Sequence, residues 1–258
     1  MQKLIWMDAD RVFYRGLLGQ PAERVLGSLT FYASVTGDLQ IRLGDAAEFS
    51  TQFVAVPPYV PHRVASADGW VHCLLIEPEY VDGARLPPPL RPEPQPAVEA
   101  SGAAQRIRDG GAWLQAHPTR SFPSPVDFDQ RFFGVVAPRR QPDARIARVV
   151  ERMRQHPAEA FTAQDCAADC GLSASRFMHL FKAEAGASFR NFRTWKRARG
   201  LLARAHDAGN LTDLALDLGY PDATHFSHAI RRFYGLKPSD IVAGSRKLER
   251  VGKLDQTG

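Results

Sequence analysis

The second half of the chain contains one pattern twice. AQDCAADCGLSASRFMHLFKAEAG, from Ala163 to Gly186, returns as LTDLALDLGYPDATHFSHAIRRFYG, from Leu211 to Gly235, with one residue inserted in the second turn. Asp165 matches Asp213, Ala167 matches Ala215, Asp169 matches Asp217 and Gly171 matches Gly219. Past the insertion, Phe177 matches Phe226, His179 matches His228, Lys182 matches Arg231 and Gly186 matches Gly235.

Each copy reads as helix, tight turn, helix. Cys166, Ala167 and Cys170, or Leu214, Ala215 and Leu218, give a short first helix one apolar face. The glycine that follows supplies the backbone freedom of the turn. Ser173 or Ser175, and Asp222 or Thr224, are suited to cap the next helix. Phe177, Leu180 and Phe181, or Phe226, Ala229 and Ile230, form its buried face. Arg176, Met178, His179 and Lys182, or Thr224, His225, Ser227, His228 and Arg231, form the other. This is the layout of a helix-turn-helix, whose second helix enters the major groove of DNA. Residues 189–207 join the copies and carry Arg190, Arg193, Lys196, Arg197, Arg199 and Arg204 around a stripe of Trp195, Ala198, Leu201, Leu202 and Ala205, which predicts a long connecting helix. Successive major grooves on one face of DNA recur about every 34 Å, so two rigidly joined units would suit one monomer to two turns. Ala144 to Arg154, with Ile146, Val149, Val150 and Met153 at spacings of three and four, predicts a further amphipathic helix.

Upstream the pattern changes. Arg24 to Leu43, with a turn signal at Gly37-Asp38, then Phe49 to Val56 and Trp70 to Ile76, read as short strands of a sandwich or small barrel. LPPPLRPEPQP, Leu86 to Pro96, has six prolines in eleven residues and reads as a stiff spacer. Val98 to His117 predicts one or two short helices interrupted by Gly102 and Gly110-Gly111, and a proline-punctuated stretch runs on to Pro142. Charge follows the same division: residues 1–141 hold 14 Lys/Arg against 15 Asp/Glu, and residues 142–258 hold 19 against 13, which points to an anionic partner for the second half. No apolar run reaches the roughly 20 residues of a membrane span, and the N-terminus lacks the layout of a signal peptide. Three cysteines, Cys73, Cys166 and Cys170, give no disulfide framework, so a cytoplasmic protein is expected.

Residues 144–240 resemble the paired helix-turn-helix domain of AraC/XylS-type transcriptional regulators. The carrying segment is LALDLGYPDATHFSHAIRRFYGLKPSD, Leu214 to Asp240, with its glycine-tyrosine turn, phenylalanine-centred second helix, and final glycine and proline. Ile241-Val242 replaces the aromatic-arginine pair that usually follows, and His179 and His228 stand where arginine is common. VAVPPYVPHRV, Val54 to Val64, resembles the family's cupin-like effector and dimerisation domain. The resemblance implies an α+β multidomain chain: a cupin-like β-barrel or sandwich over 1–96, short helices and a Pro-rich linker with a possible dimerisation role over 97–141, an all-α double helix-turn-helix domain over 142–243, and a flexible tail over 244–258.

It also implies a sequence-specific DNA-binding regulator with a small-molecule effector, working as a homodimer without a membrane and meeting RNA polymerase if it activates. Base contacts are expected from Ala174, Ser175, Met178, His179, Thr224, His225 and His228, since Thr and Ala methyls meet thymine and His or Ser can bond purine edges. Phosphate contacts are expected from Ser173, Lys182, Arg190, Arg193, Arg197 and Arg231. Tyr32, Tyr59, His62 and His72 are candidates for the effector pocket. No catalytic residue, cofactor or metal is expected: the region around Pro21 to Ala33 lacks the His-x-His of a metal-binding cupin, Cys166 and Cys170 read as core, and His225 and His228 fall on the DNA-reading face. A cupin-type metalloenzyme with a helical appendage, and a regulator whose β domain only dimerises, are the alternatives.

Overall fold

In a computed structural model, residues 1–88, 90–92 and 97–252 are described. Much of the spacer expected over 86–96 and the end of the tail expected over 244–258 therefore lie outside the described residues. The chain divides into two compact units.

Of the described residues, the first unit holds those within 1–77, 84–138 and 247–252. Its larger sheet has the order β6-β3-β8-β2-β1-β9, where β1 is Leu4–Met7, β2 Arg11–Leu17, β3 Leu29–Ser34, β6 Phe53–Val56, β8 Trp70–Ile76 and β9 Glu249–Arg250. A smaller sheet runs β5-β4-β7, with β4 Leu39–Leu43, β5 Phe49–Thr51 and β7 His62–Ser66. All pairings are antiparallel except β1 with β9. β3 is buried at all six positions because both of its faces are covered. On one face Phe31 and Phe13 pack against α2 (Pro125–Phe133), with ring centroids 4.8 Å from Phe133 and 4.7 Å from Phe132. On the other, the Tyr32 hydroxyl reaches His62 of the smaller sheet.

Four features depart from the sequence expectation. β1 and β2 lie where no strand is predicted. The interrupted region from Val98 is one helix, α1 (Ala97–Ala116). Its glycines at 110 and 111 permit close approach: a Cβ on Gly110 would lie 2.5 Å from the Phe132 ring, and one on Gly111 would lie 2.8 Å from Phe13. The proline-punctuated stretch contains α2, capped by Ser124 and begun by Pro125, the position where a helix tolerates proline. Arg11 and Asp129 form a buried bidentate ion pair at 2.8 Å between β2 and α2. Within the span expected as tail, Glu249–Arg250 form β9, held by bonds such as Val251 N–H to Ile5 carbonyl at 2.9 Å.

The second unit holds residues 78–83 and 139–246. Its helices are α3 (Ala144–Gln155), α4 (Ala163–Asp169), α5 (Ala174–Ala185), α6 (Phe189–Arg204), α7 (Leu211–Asp217), α8 (Ala223–Tyr234) and α9 (Pro238–Ser245). Residues 78–83 precede the helical half by more than fifty positions in sequence yet pack within it. The Arg140 guanidinium donates to the carbonyls of Pro78 and Val81 at 3.2 Å and of Ala183 at 2.9 Å, and Glu79 forms a buried ion pair with Lys196. No helix among the described residues is long and apolar enough to cross a membrane.

Candidate nucleic-acid interface

α4 with α5, and α7 with α8, are the two repeated units. Thr162 caps α4 by accepting from the Asp165 N–H at 3.1 Å, and Asn210 caps α7 by accepting from Asp213 N–H at 2.8 Å. Both turns then pass through a glycine in the left-handed region, Gly171 at φ 65° and Gly219 at φ 77°. Gly219 has a second constraint, since a Cβ there would lie 2.6 Å from Ala158 Cα. The apolar faces meet as the repeat predicts: Cys166, Ala167, Phe177 and Phe181 are buried in one unit, and Leu214, Ala215, Phe226 and Ile230 in the other. Burial raises the Cys166 thiol to about 11, which leaves it a packing group and not a nucleophile.

The second helix of each unit starts from a side-chain cap. Ser173 accepts from the Arg176 N–H at 3.3 Å, so its hydroxyl is engaged in the helix start. Asp222 accepts from the N–H groups of Thr224 and His225, both at 2.8 Å. Its other oxygen lies 2.8 Å from His225 Nδ1. A carboxylate only accepts, so that nitrogen carries the hydrogen and Nε2 is turned outward. The hydrogen bonds from His225, backbone first and ring second, hold the Asp222 carboxyl below the usual carboxylate range. Ser175, Met178, His179 and Lys182 are exposed on α5, as are Thr224, His225, His228 and Arg231 on α8; Ala174 is half-buried. Arg176, also exposed, joins them at the start of α5.

The connecting helix differs from the solvated basic face its composition suggests. Arg193 donates to the Phe161 carbonyl, and Arg197 donates to the carbonyls of Pro157 at 3.1 Å and Glu159 at 3.3 Å. These two residues, expected on phosphate, clamp the loop between α3 and α4. Lys196 and Arg199 are buried. Arg204 donates to the Asp217 carbonyl at 3.3 Å. Arg190 remains exposed at the start of α6, with Lys182 and Arg231 as the other exposed cations of the expected phosphate set.

In the first unit, Tyr32 and His62 come together: Tyr32 Oη lies 3.0 Å from His62 Nε2, and His62 Nδ1 lies 2.8 Å from the Val60 carbonyl. Tyr59 lies in the adjoining 57–61 segment in the left-handed region, φ 64°, with its N–H on the Leu26 carbonyl at 2.7 Å. His72 is separated from them. It stands on the opposite face of the larger sheet, stacked on Phe13 at 5.6 Å, and a Cβ on Gly111 of α1 would lie 3.3 Å from its Nε2. Among the described residues no group of three or more His, Cys, Asp or Glu gathers that could hold a metal ion.

Known proteins resemble this chain most in the helical half. A family model described as a helix-turn-helix domain matches residues 166–243. The transcriptional activator RhrA of Rhizobium meliloti is 26% identical over 111 residues, which is 42% of this chain and 35% of that protein. The invasion protein InvF of Salmonella typhi is 34% identical over 87 residues, 33% of this chain and 37% of that protein. The chain thus spans about a third of the length of these curated relatives. Across both units the fold is similar to the apo form of a single-residue variant of ToxT from Vibrio cholerae, with a TM-score of 0.61 at 10% identity, covering 91% of this chain and 97% of that one. A strand-built first half, two capped helix-turn-helix units and these likenesses agree with the resemblance of the chain to two-domain AraC/XylS-type proteins.

Proposed function

We propose that this protein is a sequence-specific DNA-binding transcriptional regulator that reads two successive major grooves with α5 and α8, and that a small molecule in the β domain controls it. The observation that carries the reading is the repeated start of these helices: each opens from a side-chain cap, buries phenylalanine on one side, and leaves a polar, partly basic row exposed on the other. Ser175, Met178 and His179 on α5, and Thr224, His225 and His228 on α8, are then the base-reading groups, with Ala174 at the edge of the first set. Lys182, Arg190 and Arg231 fix the register on phosphates. Anchoring of α6 through Arg193 and Arg197 favours a constant separation between the two reading helices, which suits a bipartite site. Such a protein works in the cytoplasm without catalysing a reaction, as a homodimer through the first unit or its helices, and meets RNA polymerase where it activates.

Selection of bound duplexes from a random pool by the full-length protein tests this. The reading requires an enriched site with two specified segments about one helical turn apart. Retention of random sequence at every round, with equal affinity for all duplexes, would overturn it.

A further inference from the structure

We propose that Cys166 and Cys170 are the paired ligands of a soft monovalent cation, of the Cu(I) and Ag(I) type, in a cavity between α3 and α4. The site goes beyond DNA reading and uses none of the residues assigned to it.

The two cysteines lie four apart on the inner side of α4, and the Cys170 N–H bonds the Cys166 carbonyl at 3.2 Å, so one helical turn separates them. Both line a cavity of about 200 Å³ that opens to solvent, with the buried Val149 and Phe161 as its apolar wall. The thiols thus have the entry path that an ion needs. Cys170 makes only a long contact with its thiol, 3.9 Å to the Arg145 carbonyl.

The repeat shows that packing alone does not call for sulfur here. Leu214 and Leu218 hold the same places in the second unit, both buried, and Leu218 reaches within 2.7 Å of where a Cβ on Gly200 would stand. Leucine closes its interface, whereas the smaller cysteines border open space.

Spacing decides what can join the sulfurs. Side chains four apart on one helix face have Cβ atoms about 5–6 Å apart, and a disulfide needs about 3.5–4.5 Å. A direct bond would have to unwind the turn; an ion bonded to both sulfurs spans the longer gap. Asp169, at the rim of the cavity, does not complete a group of three metal-binding side chains with them. Zinc takes four ligands in structural sites, so two thiols select a soft ion of low coordination number.

Charge fits the same ion. Binding breaks two S–H bonds, forms two bonds from sulfur to the ion and releases two protons to water, so a monovalent cation with two thiolates carries one net negative charge. Burial raises both thiols, Cys166 to about 11, and Asp169 raises them further; Arg152 acts the other way on Cys166, as Arg145 and Arg148 do on Cys170. Without an ion the thiols keep their protons and pack. With one, the guanidiniums lining the cavity stand beside a complex of opposite charge. Arg145 is engaged by Asp143, and Arg152 by Glu159 and Asp169, which leaves the exposed Arg148 to meet the added charge. A bound ion would pin the last turn of α4 just ahead of the Gly171 turn.

The test is titration of the reduced full-length protein with Ag(I), a redox-stable counterpart of Cu(I), in chloride-free buffer, followed by calorimetry, thiolate-to-metal absorbance in the ultraviolet and thermal melting. Wild type should take up one tight equivalent, show that absorbance and melt higher. Cys73→Ser, which removes the remaining cysteine, should keep all three. Cys170→Ser, close to cysteine in size, should bind roughly a hundredfold to ten-thousandfold more weakly, because a single thiol loses the second attachment. Cys166→Ala should do the same; circular dichroism checks its folding, and Cys170→Ser carries the test if it fails to fold. Excess Zn(II) should leave Ag(I) binding unchanged. Equal binding by wild type and Cys170→Ser, or loss of binding in Cys73→Ser, would overturn the proposal. So would a melting temperature that falls with Ag(I), since the ion would then prefer the thiols of the unfolded chain. Displacement of Ag(I) by Zn(II) would overturn the two-ligand site.

Discussion

Asp222 holds His225 twice, by its backbone N–H and by ring Nδ1, each at 2.8 Å. The cap that starts α8 therefore also orients a side chain proposed above to meet a base. Asp222→Ser keeps a capping oxygen and removes the ring contact. The expected result is a melting temperature close to wild type, with affinity for the selected duplex reduced roughly threefold to tenfold and relaxed preference at one base position. Competition binding with single-base variants of the site measures it, and unchanged preference would show that the ring orientation is irrelevant to reading.

His228 and Lys182 should separate reading from anchoring. His228→Ala is expected to cost about 1–3 kcal/mol at one base position, and Lys182→Ala to weaken all duplexes alike and lower the salt slope by about 1. Titrations of selected and random duplexes across a salt series give both numbers. Equal loss on the two kinds of duplex for His228→Ala would remove that residue from the base-reading set.

Stability should depend on pH through groups of opposite sign. Burial, and then the neighbouring charge of Asp10, raise Asp8 to about 7 against bonds from the Arg11 and Asp10 N–H groups. In the folded state Asp8 keeps a proton that the unfolded chain releases, so its contribution is full below about 3.8 and is lost as pH rises through about 7. His62, lowered to about 4, acts in reverse: its contribution is full above about 6.5 and is lost as pH falls through about 4. Asp8→Asn removes the component that falls with pH. Its melting temperature should climb more steeply than that of wild type between pH 4 and 6.5, and should exceed it at pH 8. Parallel curves for the two proteins would place the Asp8 proton elsewhere.

Three glycines on one helix should respond differently to alanine. Gly102 meets nothing within 4 Å, so Gly102→Ala should stabilise by up to about 1 kcal/mol through helix propensity. Gly110→Ala places a methyl 2.5 Å from the Phe132 ring, and Gly111→Ala places one 2.8 Å from Phe13; each should destabilise by about 1–3 kcal/mol. Denaturant unfolding of the three variants reads the signs directly.

These glycines also show where local pattern stops being informative. In sequence, Gly102, Gly110 and Gly111 all read as interruptions, and only packing against Phe132 and Phe13 tells the last two from the first. Helices α4 to α8 were legible because periodicity, caps and turn glycines agree at each step, and the duplication states them twice. α2 was hidden by prolines, although Pro125 opens that helix. The pairing of Tyr32 with His62 joins residues in the candidate set, but Arg24 and Cys73 pair with them through cross-strand register, which no neighbouring residue announces. Arg193 and Arg197 resembled phosphate anchors because a free arginine and one bound to a carbonyl look alike in sequence.

The six residues from Pro78 to Gly83 make the helical half discontinuous along the chain. A fragment cut at Pro142, where composition invites the cut, loses Arg140 with its three carbonyl acceptors and takes Glu79 away from the enclosed ammonium of Lys196. Losing one partner of a buried pair is commonly worth about 3–5 kcal/mol, a large part of what a domain of this size has. Chimeras that exchange the DNA-binding half between relatives should therefore tolerate a junction only if residues 78–83 travel with the helices they fold against.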